Sequence, residues 1–192
     1  MMYVGERLRR IVARRRQTRR WLALGALIGC AAVPLAVSLF WKPPVLFVWN
    51  SSASAPIGLY RLHVEEPLRR GDMVAAWTPE PARTLAARRH YLPANVPLVK
   101  RVAAVAGDRV CAVGQAISIN GRSVAVRKKR DSADRPMPWW NGCRLLGQDE
   151  VFLLMASGRS FDGRYFGVTR SGEVLGRAER LWVKSSKSSN NG

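Results

Sequence analysis

The sequence predicts a mainly β protein carried on a single N-terminal transmembrane helix. Three observations lead there. Residues 21–41 hold no ionisable side chain except Cys30. Beyond Tyr60 the apolar residues come in short runs, alternating or continuous, cut by Gly, Pro, Asn and Asp, which is the pattern of strands and turns. Only one stretch outside the anchor, Pro81 to Arg89, combines Ala, Leu and Arg in the way a helix favours. With 192 residues the chain suits one domain of ordinary size plus an appendage.

The apolar run follows Arg7, Arg9, Arg10, Arg14, Arg15, Arg16, Arg19 and Arg20. As a helix rising ~1.5 Å per residue it crosses a hydrocarbon core of ~30 Å, with Pro34 as a kink position. Arginines ahead of the span and tryptophans at both ends (Trp21, Trp41) predict a cytoplasmic N-terminus and an external remainder after Lys42. A cleavable signal peptide would have a shorter apolar region, ~7–15 residues, so a retained anchor is expected. Of the formal charge of +19, eight arginines against Glu6 place +7 in that arginine-rich head, where topology accounts for it. Nucleic-acid binding is therefore not expected, and the basic excess outside suits membrane lipid headgroups or an acidic partner. The predicted organisation is a basic cytoplasmic head (1–20), a transmembrane anchor (21–41), an external β domain (42–184) and a disordered tail (185–192) poor in apolar residues.

In the external part, Asn50 to Tyr60 (Asn-Ser-Ser-Ala-Ser-Ala-Pro-Ile-Gly-Leu-Tyr) reads as a tight turn presenting a hydroxyl, although such Ser-rich stretches are also ordinary linkers. Leu59 to Val64 and Met73 to Trp77 read as strands joined by a Gly-containing turn. A short helix fits Pro81 to Arg89, with Pro in the first turn. Leu98 to Val105 is an apolar strand interrupted by Lys100 and Arg101. The plainest account of Lys100 is an ammonium snorkelling to the sheet edge. Arg109 to Val113, Ala116 to Ile119 and Ser123 to Val126 follow as strands, the last two joined by Asn120-Gly121, a hairpin signal. Arg127 to Pro138 predicts an exposed, mobile loop, and Val151 to Met155 a further strand.

Cys30, inside the span, reads as a small apolar filler. Cys111 and Cys143 form an even external pair, consistent with an oxidising compartment and a candidate disulfide stapling the 127–138 loop to the sheet. With only His63 and His90 beside them, neither at ligand spacing, no metal or other cofactor is expected.

Three blocks carry a more specific message: Ser54-Ala55-Pro56-Ile57-Gly58-Leu59-Tyr60, then Val99-Lys100-Arg101-Val102 leading to Gly107-Asp108, then Ser160-Phe161-Asp162-Gly163-Arg164-Tyr165-Phe166-Gly167. In that order, just after a membrane anchor, they resemble the type I signal peptidase superfamily, and within it the TraF-type conjugal-transfer peptidases that mature pilin subunits. The resemblance spans Asn50 to Phe166. It implies a signal-peptidase-like antiparallel β-sheet domain and a serine/lysine dyad in which Ser54 attacks and Lys100 takes its proton. It also implies that Ser52 assists the oxyanion beside the Ser54 N–H, that Ser160 orients the lysine, and that Asp162 and Arg164 brace the site as an ion pair. The implied activity is that of a membrane-anchored serine endopeptidase, periplasmic in its catalytic part. It would process a prepilin or other exported precursor alongside conjugation (type IV secretion) machinery, by hydrolysis or by aminolysis that cyclises the pilin.

The dyad that the resemblance implies has a physical rationale. No His lies in the three blocks, and a lysine at its ordinary pKa of ~10.4 is protonated at neutral pH, whereas burial in an apolar strand favours the neutral amine. Some positions depart from the pattern. Ala55 stands where a larger apolar residue is usual and Gly163 where serine is common. Met155-Ala156-Ser157-Gly158 replaces the Gly-Asp-Asn of housekeeping signal peptidases. The alternative reading is a non-catalytic, membrane-anchored assembly factor of a conjugation or secretion apparatus, and for Asp162-Gly163-Arg164 alone, a surface turn with a weak ion pair.

Overall fold

The computed structural model describes residues 21–34, 36–38, 45–64 and 67–183. The chain divides into two units, Met1–Pro44 and Val45–Gly192. In the first, helix α1 (Trp21–Ser38) is long and apolar enough to cross a membrane by length and composition. The expected basic head, the second interfacial tryptophan, Trp41, and the expected disordered tail lie outside the described residues.

In the second unit the strands described pair antiparallel. Its elements are β1 (Phe47–Asn50), β2 (Gly58–His63), β3 (Met73–Ala76), α2 (Ala82–Arg88), β4 (Leu98–Ala104), β5 (Arg109–Val113), β6 (Ala116–Ile119), β7 (Arg122–Val126), β8 (Gly142–Leu145), β9 (Glu150–Leu154), α3 (Gly163–Phe166), β10 (Thr169–Arg170) and β11 (Val174–Val183). Seven strands form one sheet in the order β1-β2-β11-β3-β4-β9-β10, and four form a second in the order β7-β6-β5-β8. The β6–β7 hairpin turns at Asn120 and Gly121, both at positive φ (52° and 79°), as a two-residue primed turn requires.

Alternation along the strands sorts side chains into three apolar clusters. Val74, Ala76, Leu98, Val102, Val151 and Leu153 pack together across β3, β4 and β9. Val48, Ala55, Tyr60, Leu62, Ala75, Val99 and Ala178 form a second group. The small sheet is held by a third, in which Val110, Ile117 and Ile119 meet Phe152 and Leu154. Fully buried side chains such as Phe152 and Leu153 are each worth about 1.5–3 kcal/mol by transfer from water.

Several expectations need correction. The strands expected at 59–64 and 73–77 form as β2 and β3, but they do not pair with each other: β11, unassigned from sequence, lies between them. Its register slips between Val174 and Gly176 and again between Arg180 and Trp182, so its side chains never present the uninterrupted period-two pattern by which a strand is recognised. The loop from Arg127 to Pro138 is not simply exposed. Arg127 is completely buried, donating to Gly114 O, Trp140 O and Asn141 Oδ1 under the Trp139 ring, 3.6 Å from its centroid. A carbonyl-lined pocket capped by indole replaces the water that charge alone would lead one to expect. Cys111 and Cys143 sit opposite each other on β5 and β8 and are joined by a disulfide.

Candidate active site

Asn50, at the end of β1, shapes the serine turn. Its buried Nδ2 donates to the carbonyls of Ser52 (3.0 Å), Ala55 (3.1 Å) and Pro56 (3.0 Å), and its Oδ1 accepts from Ser52 N (3.1 Å). One amide thus satisfies backbone groups that a sharp turn leaves without partners. Tyr60 pins the far side by donating to Pro56 O at 2.7 Å, and Ala55 is buried among Val48, Tyr60 and Leu62. The small side chain at 55 matches the tight space beside Tyr60. No role was expected of Asn50; its signal was an Asx-type residue opening a Ser/Ala/Pro turn.

On this scaffold Ser54 and Ser52 bring their hydroxyls within 2.9 Å of each other, and Ser54 N donates to Ser52 Oγ at 3.3 Å. Lys100 approaches from β4, which lies between β3 and β9 in the sheet interior. Its side chain does not snorkel: the residue is 4% exposed. Leu98 and Val102, two residues to either side on the same face, belong to the apolar cluster with Val74 and Leu153. Lys100 Nζ donates to Ser54 Oγ at 2.6 Å and to Ser160 Oγ at 2.9 Å. Burial lowers its pKa from 10.5 to about 8; the Asp162 carboxylate opposes the drop and the Arg164 guanidinium adds to it.

Asp162 and Arg164 are both fully buried, so the surface-turn reading of this block does not hold. Arg164 Nε donates to Asp162 Oδ1 at 2.8 Å, and Arg164 Nη2 to Met155 O at 2.6 Å. Asp162 Oδ2 accepts from Met155 N at 3.1 Å, and Oδ1 from Arg164 N at 3.3 Å, capping α3. The pair therefore ties the Ser160 segment to the end of β9. Between them, a Cβ on Gly163 would lie 2.7 Å from Leu153 O and 2.8 Å from the Phe152 ring; glycine stands here because α3 presses directly onto β9. Trp140 Nε1 donates to Gly163 O at 3.1 Å.

These groups open into a cleft of about 550 Å³ whose floor includes Ser54, Lys100 and Ser160 and whose far wall is the 128–137 segment. Sequence reasoning gave that wall no role. Asp131 holds it together: Tyr91 Oη and Arg135 Nε donate to its carboxylate, the latter at 2.8 Å, and the Tyr91 bond foremost pulls its pKa well below the ordinary value. Lys128 N donates to Tyr165 Oη at 3.1 Å, fastening the wall to α3. Among the described residues no cluster of three His, Cys, Asp or Glu side chains could hold a metal ion.

All six polar residues singled out from the sequence (Ser52, Ser54, Lys100, Ser160, Asp162 and Arg164) thus meet in one place, while Cys111 and Cys143 lie away from it on the small sheet. A hydroxyl beside an amine whose proton is loosened by burial is equipped to attack a carbonyl without histidine or metal. The chain belongs to the signal peptidase family, peptidase S26, whose model matches residues 18–183. Its curated relatives are of the TraF type. It is 35% identical over 142 residues to a probable conjugal transfer protein TraF of Sinorhizobium fredii, covering 69% of this chain and 74% of the relative. To a plasmid transfer protein TraF of Escherichia coli it is 31% identical over 165 residues, 80% of this chain and 90% of the relative. Among solved structures, signal peptidase I of Enterococcus faecalis V583 is similar at 21% identity and a TM-score of 0.35, over 60% of this chain and 98% of that one.

Proposed function

We propose that this chain is a membrane-anchored serine endopeptidase that cleaves an exported precursor, a small prepilin of a conjugation system, at the outer face of the inner membrane. The observation that carries the reading is the buried Lys100 amine, 2.6 Å from the Ser54 hydroxyl. In its neutral form Lys100 accepts the Ser54 proton as Oγ attacks the substrate carbonyl. The developing oxyanion takes hydrogen bonds from Ser54 N–H and Ser52 Oγ–H, which turn from each other to the substrate. Lys100 then passes its proton to the leaving amine, leaving an acyl-enzyme on Ser54. Water, or an amine of the substrate itself, activated by the same lysine, releases the product and restores the serine. Ser160 fixes the Lys100 amine from a second direction, and the Asp162–Arg164 pair positions Ser160.

Topology follows the same reading. The arginines before α1 keep the N-terminus cytoplasmic, and the β domain lies outside, with anionic lipid and the conjugation apparatus as neighbours. Half-exposed Phe47, Trp49 and Trp182, with the two indoles stacked at 5.7 Å, form an apolar rim suited to the membrane interface. A non-catalytic assembly factor would have no use for an amine buried against a serine.

Co-expression with a prepilin precursor tests the dyad by mass. Ser54→Ala and Lys100→Ala should each abolish processing while the protein still inserts and folds, and Ser160→Ala should slow it less. Processing retained by either of the first two variants refutes the mechanism.

A further inference from the structure

The cleft is charged on one side only. Four cationic residues line it, Lys100, Lys128, Arg130 and Arg159, against a single carboxylate, Asp131. That carboxylate is already engaged by Tyr91 and Arg135 and by the backbone N–H groups of Ala133 and Arg135. Lys100 faces Ser54 and Ser160, and Arg130 is paired with Asp134 at 3.2 Å. Lys128 and Arg159 are left: both are exposed, and neither is paired with a carboxylate among the described residues. Behind Lys128, the guanidinium of Arg127 is buried against carbonyls, an amide and indole rings, so nothing there cancels its charge. A concave surface of one sign, partly walled from water, concentrates the opposite charge.

We infer that Lys128 and Arg159 select the substrate by binding a carboxylate on the peptide that occupies the cleft. This deepens the peptidase reading and rests on it. The shared chemistry is a peptide carboxylate, supplied either by an acidic side chain near the scissile bond or by a free C-terminus. Ser54 and Lys100 perform the same chemistry on any peptide; Lys128 and Arg159 decide which peptide stays.

Binding tests this without turnover, so its outcome is separate from that of the dyad. The full-length Ser54→Ala chain in detergent is titrated with fluorescein-labelled, Ala/Ser-rich peptides of about a dozen residues, and anisotropy is followed. One peptide carries two Glu and an amidated end, a second carries Gln in their place, and a third is the Gln peptide with a free C-terminus. A carboxylate meeting two exposed cations gains about three- to tenfold in affinity at low salt, lost as ionic strength rises. The Glu peptide should therefore bind about three- to tenfold more tightly than the amidated Gln peptide. In Lys128→Gln/Arg159→Gln that ratio should fall towards one, and in Lys128→Glu/Arg159→Glu it should invert. If only the free C-terminus confers the gain, the two cations read a chain end, and the inference stands with that source. Equal binding of all three peptides, no binding of any, or a preference that survives the double substitutions overturns it.

Discussion

The titration of Lys100 is the feature most open to measurement. At pH 7 a lysine at its ordinary pKa of 10.5 has about 0.03% of its amine free, and one at about 8 has about 9%, so burial raises the free base about 300-fold. By linkage this has a cost. The unfolded lysine holds its proton up to about 10.5 and the folded one only to about 8, so unfolding takes up a proton between those values and stability rises with pH across that window. Below pH 8 the folded state carries the whole penalty, about 3 kcal/mol at ~1.36 kcal/mol per pH unit. Two measurements follow. With a precursor peptide as substrate, kcat/KM should climb about tenfold per pH unit below 8 and level off above it. Denaturant unfolding in detergent should find Lys100→Met more stable than the natural chain at pH 7, by up to about 3 kcal/mol, with the gap closing as pH approaches 10. An activity midpoint at 10 or above, or a Lys100→Met variant less stable than the natural protein at pH 7, refutes the account of a buried lysine whose pKa is lowered.

Other perturbations probe the support of the site. Arg164→Met leaves the Asp162 carboxylate buried without its cation, at a cost of about 3–5 kcal/mol, to be read as an equally large fall in unfolding free energy by urea titration. Gly163→Ala places a methyl against Leu153 O and the Phe152 ring; overpacking of this kind costs about 1–3 kcal/mol, and because α3 must move, peptidase activity should fall along with thermal stability. Ala at 163 with unchanged stability would mean that α3 does not press on β9.

Local chemistry made much of the molecule legible in advance. The apolar helix α1 could be seen because a segment long enough to cross a bilayer needs an unbroken apolar run, and β4 to β7 because short strands with Gly and Asn turns leave a local trace. α2 showed itself through composition. β11 left none: a strand bulged twice and flanked on both sides is recruited by its neighbours β2 and β3 rather than by its own pattern. β8 is similar, four exposed residues ordered by pairing with β5. The far wall of the cleft departs from its sequence pattern for another reason. Arg127 to Pro138 is as charged as any solvated loop, and nothing local indicates that Arg127 would be swallowed under Trp139 or that Asp131 would be enclosed by Tyr91 and Arg135.

What the sequence determined by itself was therefore the parts list: an apolar span behind arginines, a serine in a turn, a lysine in an apolar strand, and a Ser-Phe-Asp-Gly-Arg block. Those depend on residue type and on neighbours within a few positions. Only the tertiary structure decided that Lys100 lies within 3 Å of both Ser54 and Ser160, residues 46 and 60 positions away along the chain. Sheet pairing brings the three together, and the burial that unsettles the lysine's proton is supplied by strands distant in sequence.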